Sequence, residues 1–319
     1  MKTKQRKVGE DKDAIIRDLP KACQDELLAV EFMEKQRWGE YPACTECGSL
    51  NVYKMISRDG DRIAPYRWRC REKECNTQFT VRTGTVFEDS RIPMKIWCHA
   101  FWRACTSKKG VSALQIKRET GLSYKSALFL MHRIRFAMGE TLDGQLDGTV
   151  EVDETYVGGK PRKFDGKKHK PGRGTEKACV LGMVERDGRI RFAHIEGPRK
   201  AVVLPPMLEN ISREARLCTD DFMLYRSIGK PFASHMIVNH SSGEYVYGDT
   251  HTNTIEGAFS LIKRGVYGTF HSISKKHLHR YLCEFEFRYN SRWESDGERV
   301  VKAIKAARGK RLTYKQQTK

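Results

Sequence analysis

Four closely spaced cysteines constrain this chain more than any other feature. "CTEC" carries Cys44 and Cys47, and "CREKEC" carries Cys70 and Cys75 after a 22-residue spacer (48–69). Two short cysteine pairs divided by a hairpin-length spacer suit one tetrahedral Zn²⁺. Such an ion holds together a module too small to fold on its own core. Strand-forming residues flank Asp59-Gly60, a turn dipeptide, and "NTQFTVRTG" supplies another strand, so residues 41–82 are expected to form a zinc ribbon. Two disulfides are the competing reading. They suit secreted proteins, whereas the leading "MKTKQRKVGEDKD" has no apolar secretory core. The other six cysteines (Cys23, Cys98, Cys105, Cys179, Cys218, Cys283) sit singly among apolar or helical residues and are expected to be buried thiols.

Ribbons bind DNA, RNA or protein, and composition helps to choose. The 319 residues carry a formal net charge of +19. Such an excess attracts polyanions, and Arg58, Arg67, Arg69 and Arg71 put part of it on the ribbon. Simple solubility is the competing explanation. No run approaches the roughly 18 apolar residues of a membrane span. No membrane partner is expected, and the expected compartment is the cytosol.

Around the ribbon, residues 1–40 are charged and expected to be helical, from the apolar spacing in "CQDELLAVEFMEKQRW". Residues 90–140 read as helices. Ser112 with Gln115 three residues later forms a capping-box pattern, "TGLS" makes a turn, and Ser123 can cap a second helix. The pair resembles a helix-turn-helix, with Arg133 and Arg135 as expected DNA contacts. An ordinary helical hairpin is the alternative. Residues 296–319 form a basic tail, expected to fray.

Residues 147–295 alternate strands and helices. "VEVDETYV" is a strand with one acidic face. "ACVLGMVE" and "RIRFAHIEG" flank a hairpin at Arg186-Asp187-Gly188, and a helix disturbed by Pro205-Pro206 follows near 200–214. "EARLCTDD" and "FASHMIVNHS" supply two more strands before helices near 253–263 and 275–292. Three antiparallel strands, helix, strand, strand and helices is the order of an RNase H-like fold, and the expected class is α/β. Asp153 lies mid-strand, Asp220 ends a strand, and Glu256 begins a helix. Acids on separate elements can converge on two Mg²⁺ ions about 4 Å apart, which clamp the attacking and leaving oxygens of a phosphoryl transfer. Each acid also has a plain explanation: an exposed strand residue, a helix cap, a helix-surface pair.

At this point the chain resembles a known family. "VEVDETYVGGK", "TDD", "HTNTIEGAFSLIKRG" and "SKKHLHRYLCEFEFRYNSR" are similar to the IS1595-family (ISXO2-like) insertion-sequence transposases, as are the ribbon, "FTVRTGTVFEDSRIPMKIW" and "SKKGVSALQIKRETGLSYKSALFLMHRIR". The resemblance spans roughly residues 30–295. It implies a DDE-type DNA transposase whose acids are Asp153, Asp220 and Glu256, with the last two 256 − 220 = 36 positions apart. It further implies Mg²⁺ or Mn²⁺ at those acids, Zn²⁺ at the cysteines, and double-stranded DNA (terminal inverted repeats and target) as partner. A homodimer or larger assembly on DNA and a cytoplasmic location, in bacterial cytosol or nucleoid, complete the expectation. The alternative is a zinc-ribbon DNA-binding regulator with an inactive RNase H-like domain.

Some members of the wider group are described with Asn in place of the third acid, so Asn253 competes with Glu256. Helix geometry favours Glu256. Seven residues advance about 700°, within about 20° of two turns, so Lys263 shares its face; from Asn253 the ten-residue step falls about 80° short of three turns. Lys263 and Arg264 are then expected to hold DNA phosphate, with Asn253 orienting Glu256 or touching DNA. Lys263 as an ordinary surface lysine is the alternative. Arg288, Arg292 and the scattered histidines (His240, His251, His271, His277) read as surface or DNA-facing groups.

Overall fold

The computed structural model describes residues 14–55, 66–139, 144–159, 177–238 and 250–318. The chain divides into two compact units, Met1–Met138 together with Trp293–Lys319, and Gly139–Arg292.

In the first unit, helices α1 (Ala14–Ala22) and α2 (Glu26–Trp38) precede a three-stranded antiparallel sheet of β1 (Val52–Lys54), β2 (Trp68–Cys70) and β3 (Gln78–Phe79). Its core is small: Cys44, Cys70 and Phe79, with Trp38, Val52 and Trp68 against them. Trp38 meets Trp68 and Phe79 edge-on, and Trp68 Nε1 donates to the buried Glu34 at 2.8 Å. The expected turn at Asp59-Gly60, with Arg58, lies outside the described residues.

Helices α3 (Met94–Thr106), α4 (Ala113–Thr120) and α5 (Tyr124–Met138) follow. Glu26 caps α3 from a distance, accepting from Met94 N at 2.7 Å and Lys95 N at 3.0 Å. Ser112 Oγ accepts from Gln115 N at 3.1 Å, but the Gln115 amide donates to Glu119 at 2.9 Å. The reciprocal half of the expected capping box is thus diverted to an i+4 neighbour. Gly121, at φ 73°, ends α4 in the left-handed conformation, and Ser123 Oγ accepts from Ser126 N at the start of α5.

Helices α6 (Lys200–Asn210), α7 (Met223–Ile228), α8 (Asn253–Gly265) and α9 (Leu278–Asn290) belong to the second unit; α10 (Asp296–Lys305) and α11 (Tyr314–Thr318) return to the first. The C-terminal segment, expected to fray, carries a capping box at Ser295 and Glu298, and α10 packs on α1, α2, α3 and α5. Val300, Ala303, Ile304 and Ala307 are buried at i, i+3, i+4, i+7 spacing. Lys302 and Lys305 share this segment, and their charge conceals the apolar stripe in the composition.

The second unit is built on β4 (Thr149–Val157), β5 (Ala178–Glu185), β6 (Ile190–Ile195), β7 (Arg216–Asp220) and β8 (Ser234–Val238), in spatial order β6-β5-β4-β7-β8. The first three pair antiparallel; β7 pairs parallel with β4 and with β8. Alternation along each strand makes two cores. Val150, Val152, Leu181 and Leu217 pack with Val203 and Met207 of α6 and Tyr225 and Ile228 of α7. Val157, Val180 and Val184 pack with Ile255, Phe259 and Ile262 of α8 and Leu282 and Phe285 of α9. Pro205 and Pro206 lie inside α6, which runs unbroken to Asn210. The basic stretch 160–176 and His240 lie outside the described residues. No helix among the described residues is long and apolar enough to cross a membrane.

Candidate functional site

The α8 side of the sheet brings the three expected acids into one region. Period-2 alternation sends Glu151 and Asp153 of β4 toward α8, while Val150 and Val152 enter the opposite core. Parallel pairing ends with Glu151 opposite Cys218. Asp220 is the last residue of β7 and, like Asp153, lies two residues beyond the end of that pairing. Asp220 Oδ1 accepts from Phe222 N at 3.1 Å, which turns the chain out of the strand. Glu256 lies exposed in the first turn of α8 and accepts from the Thr252 hydroxyl at 3.2 Å.

Electrostatics records the proximity of these acids. The Asp153 carboxyl is pushed up from 3.8 to about 8, first by burial, then by Glu154 and Asp220, with a smaller contribution from Glu256. The opposing influence is the Glu154 amide, which donates to Asp153 Oδ1 at 2.7 Å. Glu154 itself faces the other core, where Tyr225 Oη donates to it at 2.6 Å. Asn253, the first residue of α8, is exposed; so are Lys263 and Arg264 in its last turn. Arg264 folds back onto Ser260, donating to its carbonyl at 3.2 Å and its hydroxyl at 3.1 Å.

Two residues that seat α8 went unnoticed in the sequence. Glu151 is fully buried and receives hydrogen bonds from Arg186 and from the first turn of α8. Gly182 lies opposite Asp153 on β5. A Cβ there would stand 2.6 Å from Ile255 Cδ1 and 2.7 Å from Phe259 Cε1, so only glycine lets α8 approach this closely. The available clue was an acid at a core-facing strand position two residues before Asp153. His251, expected at the surface, has Nδ1 3.1 Å from Glu151 Oε1.

The cysteines form the second candidate site. Cys44 and Cys75 Sγ lie 3.6 Å apart, as do Cys47 and Cys70 Sγ, and all four lie within 4.8 Å of one another. Four thiolates about 2.3 Å from a tetrahedral zinc are about 3.8 Å apart, whereas a disulfide needs about 2.05 Å. The quartet could therefore hold zinc. Hydrogen bonding with the Thr77 hydroxyl and amide lowers the Cys75 thiol to about 7, whereas burial pushes Cys70 up to about 12. Among the described residues this is the one group of three or more candidate ligands drawn within 4.8 Å; the acids stand wider.

The expectation for Arg133 and Arg135 is corrected. Arg135 is 1% exposed, and Arg133 donates to the Val86 carbonyl at 3.2 Å and the Glu88 carbonyl at 3.0 Å. Arg135 is thus buried in α5, and the partly buried Arg133 is spent on two backbone carbonyls. The exposed cations of the helix pair are Lys117, Arg118 and Lys125. Arg288 is likewise paired inside the protein, with Glu284 at 2.9 Å, and Arg292 stacks on Tyr289.

Fold and site together define a two-unit protein: a helical unit bearing a four-cysteine module, and a mixed α/β unit whose acids gather beside one helix. Over residues 145–290 that second unit is similar to the ISXO2-like transposase domain. The chain is also 28% identical over 296 residues to an uncharacterized protein in transposable element ISH50 of Halobacterium salinarum, spanning 89% of this chain and 97% of that relative. The likeness to a transposase domain and to a protein of a transposable element supports a transposase at the family level, and that family implies DNA binding.

Proposed function

We propose that the protein is a DDE-type DNA transposase that cuts the ends of an insertion sequence and joins the 3′-hydroxyl ends to target DNA. Asp153, Asp220 and Glu256 are its catalytic acids. What supports this reading is that Asp153 and Asp220 lie on the adjacent parallel strands β4 and β7, that Glu256 begins α8, which packs on β4 and β5, and that beyond the effect of burial Asp220 and Glu256 raise the Asp153 carboxyl, inside the segment that matches the transposase domain. The strand order β6-β5-β4-β7-β8, three antiparallel and then two parallel, supports an RNase H-like assignment for this unit.

The acids fit divalent metal. An all-carboxylate set suits Mg²⁺ or Mn²⁺, and burial together with the neighbouring acids raises the Asp153 carboxyl. Divalent ions bound there would activate water or a DNA 3′-hydroxyl and offset charge on the leaving oxygen. The chain's own residues do the positioning. Asp153 and Asp220 are carried on β4 and β7, which pair in parallel up to Glu151 and Cys218. The Thr252 hydroxyl steers Glu256. Lys263, about one helix face along from Glu256, and Arg264 present charge to a DNA phosphate. Asn253 adjoins them as a DNA contact. The cysteine quartet with its three short strands is a zinc ribbon that contributes to DNA recognition. Two element ends must be joined, so a dimer or larger assembly acts on DNA.

A strand-cleavage and strand-transfer assay on element-end duplex with Mg²⁺ or Mn²⁺ tests this. Asp153→Ala and Asp220→Ala should each lose at least about 100-fold in rate while binding end DNA as wild type does. Full activity in either variant would point instead to a DNA-binding regulator with an inactive domain. Glu256→Gln should match them; if Asn253→Ala does so and Glu256→Gln does not, the third residue is Asn253.

A further inference from the structure

We infer that Glu151 is a positioning residue, a buried carboxylate that caps α8 from the neighbouring strand and so sets where Glu256 stands relative to Asp153. The inference rests on the reading of Glu256 as the third catalytic acid. The first amides of a helix have no partner within it, and the residue before the helix usually supplies one. Here that residue, Thr252, makes no side-chain cap bond; its hydroxyl is turned to Glu256. Glu151 takes its place. Its Oε2 accepts from Thr254 N at 2.9 Å and Ile255 N at 3.1 Å, and its Oε1 accepts from Thr254 Oγ1 at 2.9 Å and Arg186 Nε at 2.8 Å. Those four bonds match the roughly four lone-pair sites of a carboxylate.

Arg186 extends the grip, donating through Nη2 to the His251 carbonyl at 3.0 Å, on the approach to α8. Glu151 is 0% exposed, so neither DNA nor bulk solvent reaches it. Its carboxylate is saturated by the protein and has no lone pair left for a metal. What it does is geometric. Glu151 and Asp153 share a strand face two residues apart, about 6.7 Å. The residue after Ile255 is Glu256. Tying the Thr254 and Ile255 amides to Glu151 therefore ties Glu256 to the strand that carries Asp153. A full negative charge at the positive end of the helix strengthens the tie.

The test uses the full chain. Glu151→Gln alone leaves Arg186 facing a neutral group, so Glu151→Gln/Arg186→Met removes both charges of the buried pair together. Thr254→Val removes one donor and leaves the backbone intact. Hydrogen exchange without added Mg²⁺ or Mn²⁺, which needs no activity and leaves the cysteine site loaded, should speed up at least about tenfold at the Thr254 and Ile255 amides in the double variant. In cleavage of end duplex, the maximal rate should fall at least about tenfold and the Mn²⁺ concentration for half-maximal rate should rise. End-DNA affinity and far-UV circular dichroism should match wild type, a combination that simple loss of folded protein does not produce. Thr254→Val should show the same changes at smaller size. A folded double variant with wild-type exchange and wild-type metal dependence overturns the proposal alone, provided Glu256→Gln is inactive. An active Glu256→Gln overturns the site reading and this proposal together.

Discussion

Burial and neighbouring carboxylates make Asp153 keep its proton up to about pH 8, against 3.8 for an ordinary aspartate. The folded-state value is the raised one. Stability from this group is therefore fully present below about pH 4 and is lost as pH rises through about 8. Asp153→Asn removes that loss. Without added Mg²⁺ or Mn²⁺ the variant should melt at least roughly 2 °C above wild type at pH 8.5, with the difference closing toward pH 4. Equal melting temperatures at pH 8.5 would mean that Asp153 is not crowded by acids. Burial opposes ionisation here in the same direction as the charges of Glu154, Asp220 and Glu256, which is why one residue reports on the whole site.

At the scale of the element, α8 is held by two devices of different kinds. Glu151 anchors its first turn by hydrogen bonds, and Gly182 admits its apolar face by leaving out a side chain. Gly182→Ala places a methyl inside the contact distance of Ile255 and Phe259, so either those side chains or the helix must move. Overpacking of this sort costs about 1–3 kcal/mol. The variant should melt lower, lose exchange protection across residues 255–262, and lose cleavage more than end-DNA binding. Unchanged protection there would show that the sheet and not the helix yields. The amphipathic pattern of α8, with Ile255, Phe259 and Ile262 inward and Glu256 and Lys263 outward, was legible in the sequence because period 3.6 is a local property. Its seating was not, because Glu151 lies about a hundred residues earlier in the chain.

For the whole molecule, the first unit is discontinuous: residues after Trp293 complete a fold begun before Met138. Val300, Ala303, Ile304, Ala307 and Leu312 are all buried there. Burying a large aliphatic side chain contributes about 1.5–3 kcal/mol, and a domain has only about 5–15 kcal/mol in all. A chain ending at Arg292 should therefore lose cooperative melting and exchange protection in α2, α3 and α5, while the strands β4, β5 and β7 stay protected. Protection of α3 at the wild-type level in that truncation would refute the packing role of α10.

Local chemistry was readable from residue order alone. The cysteine spacing, the element order of the second unit and the amphipathic period of α8 are each carried by short stretches whose geometry follows from backbone repeats or ligand spacing. The direction in which arginines point was not readable. Arg133 and Arg135 look like surface charge in "MHRIRFAM", and only packing shows them spent on carbonyls and buried surface. The C-terminal helix was hidden for the same reason: lysines dominate its composition, and its apolar stripe acquires meaning only when α3 is there to receive it. Tertiary structure alone assigned Glu151, Gly182 and Arg186 to α8, since a buried hydrogen bond or a close approach depends on two segments that the chain brings together only on folding.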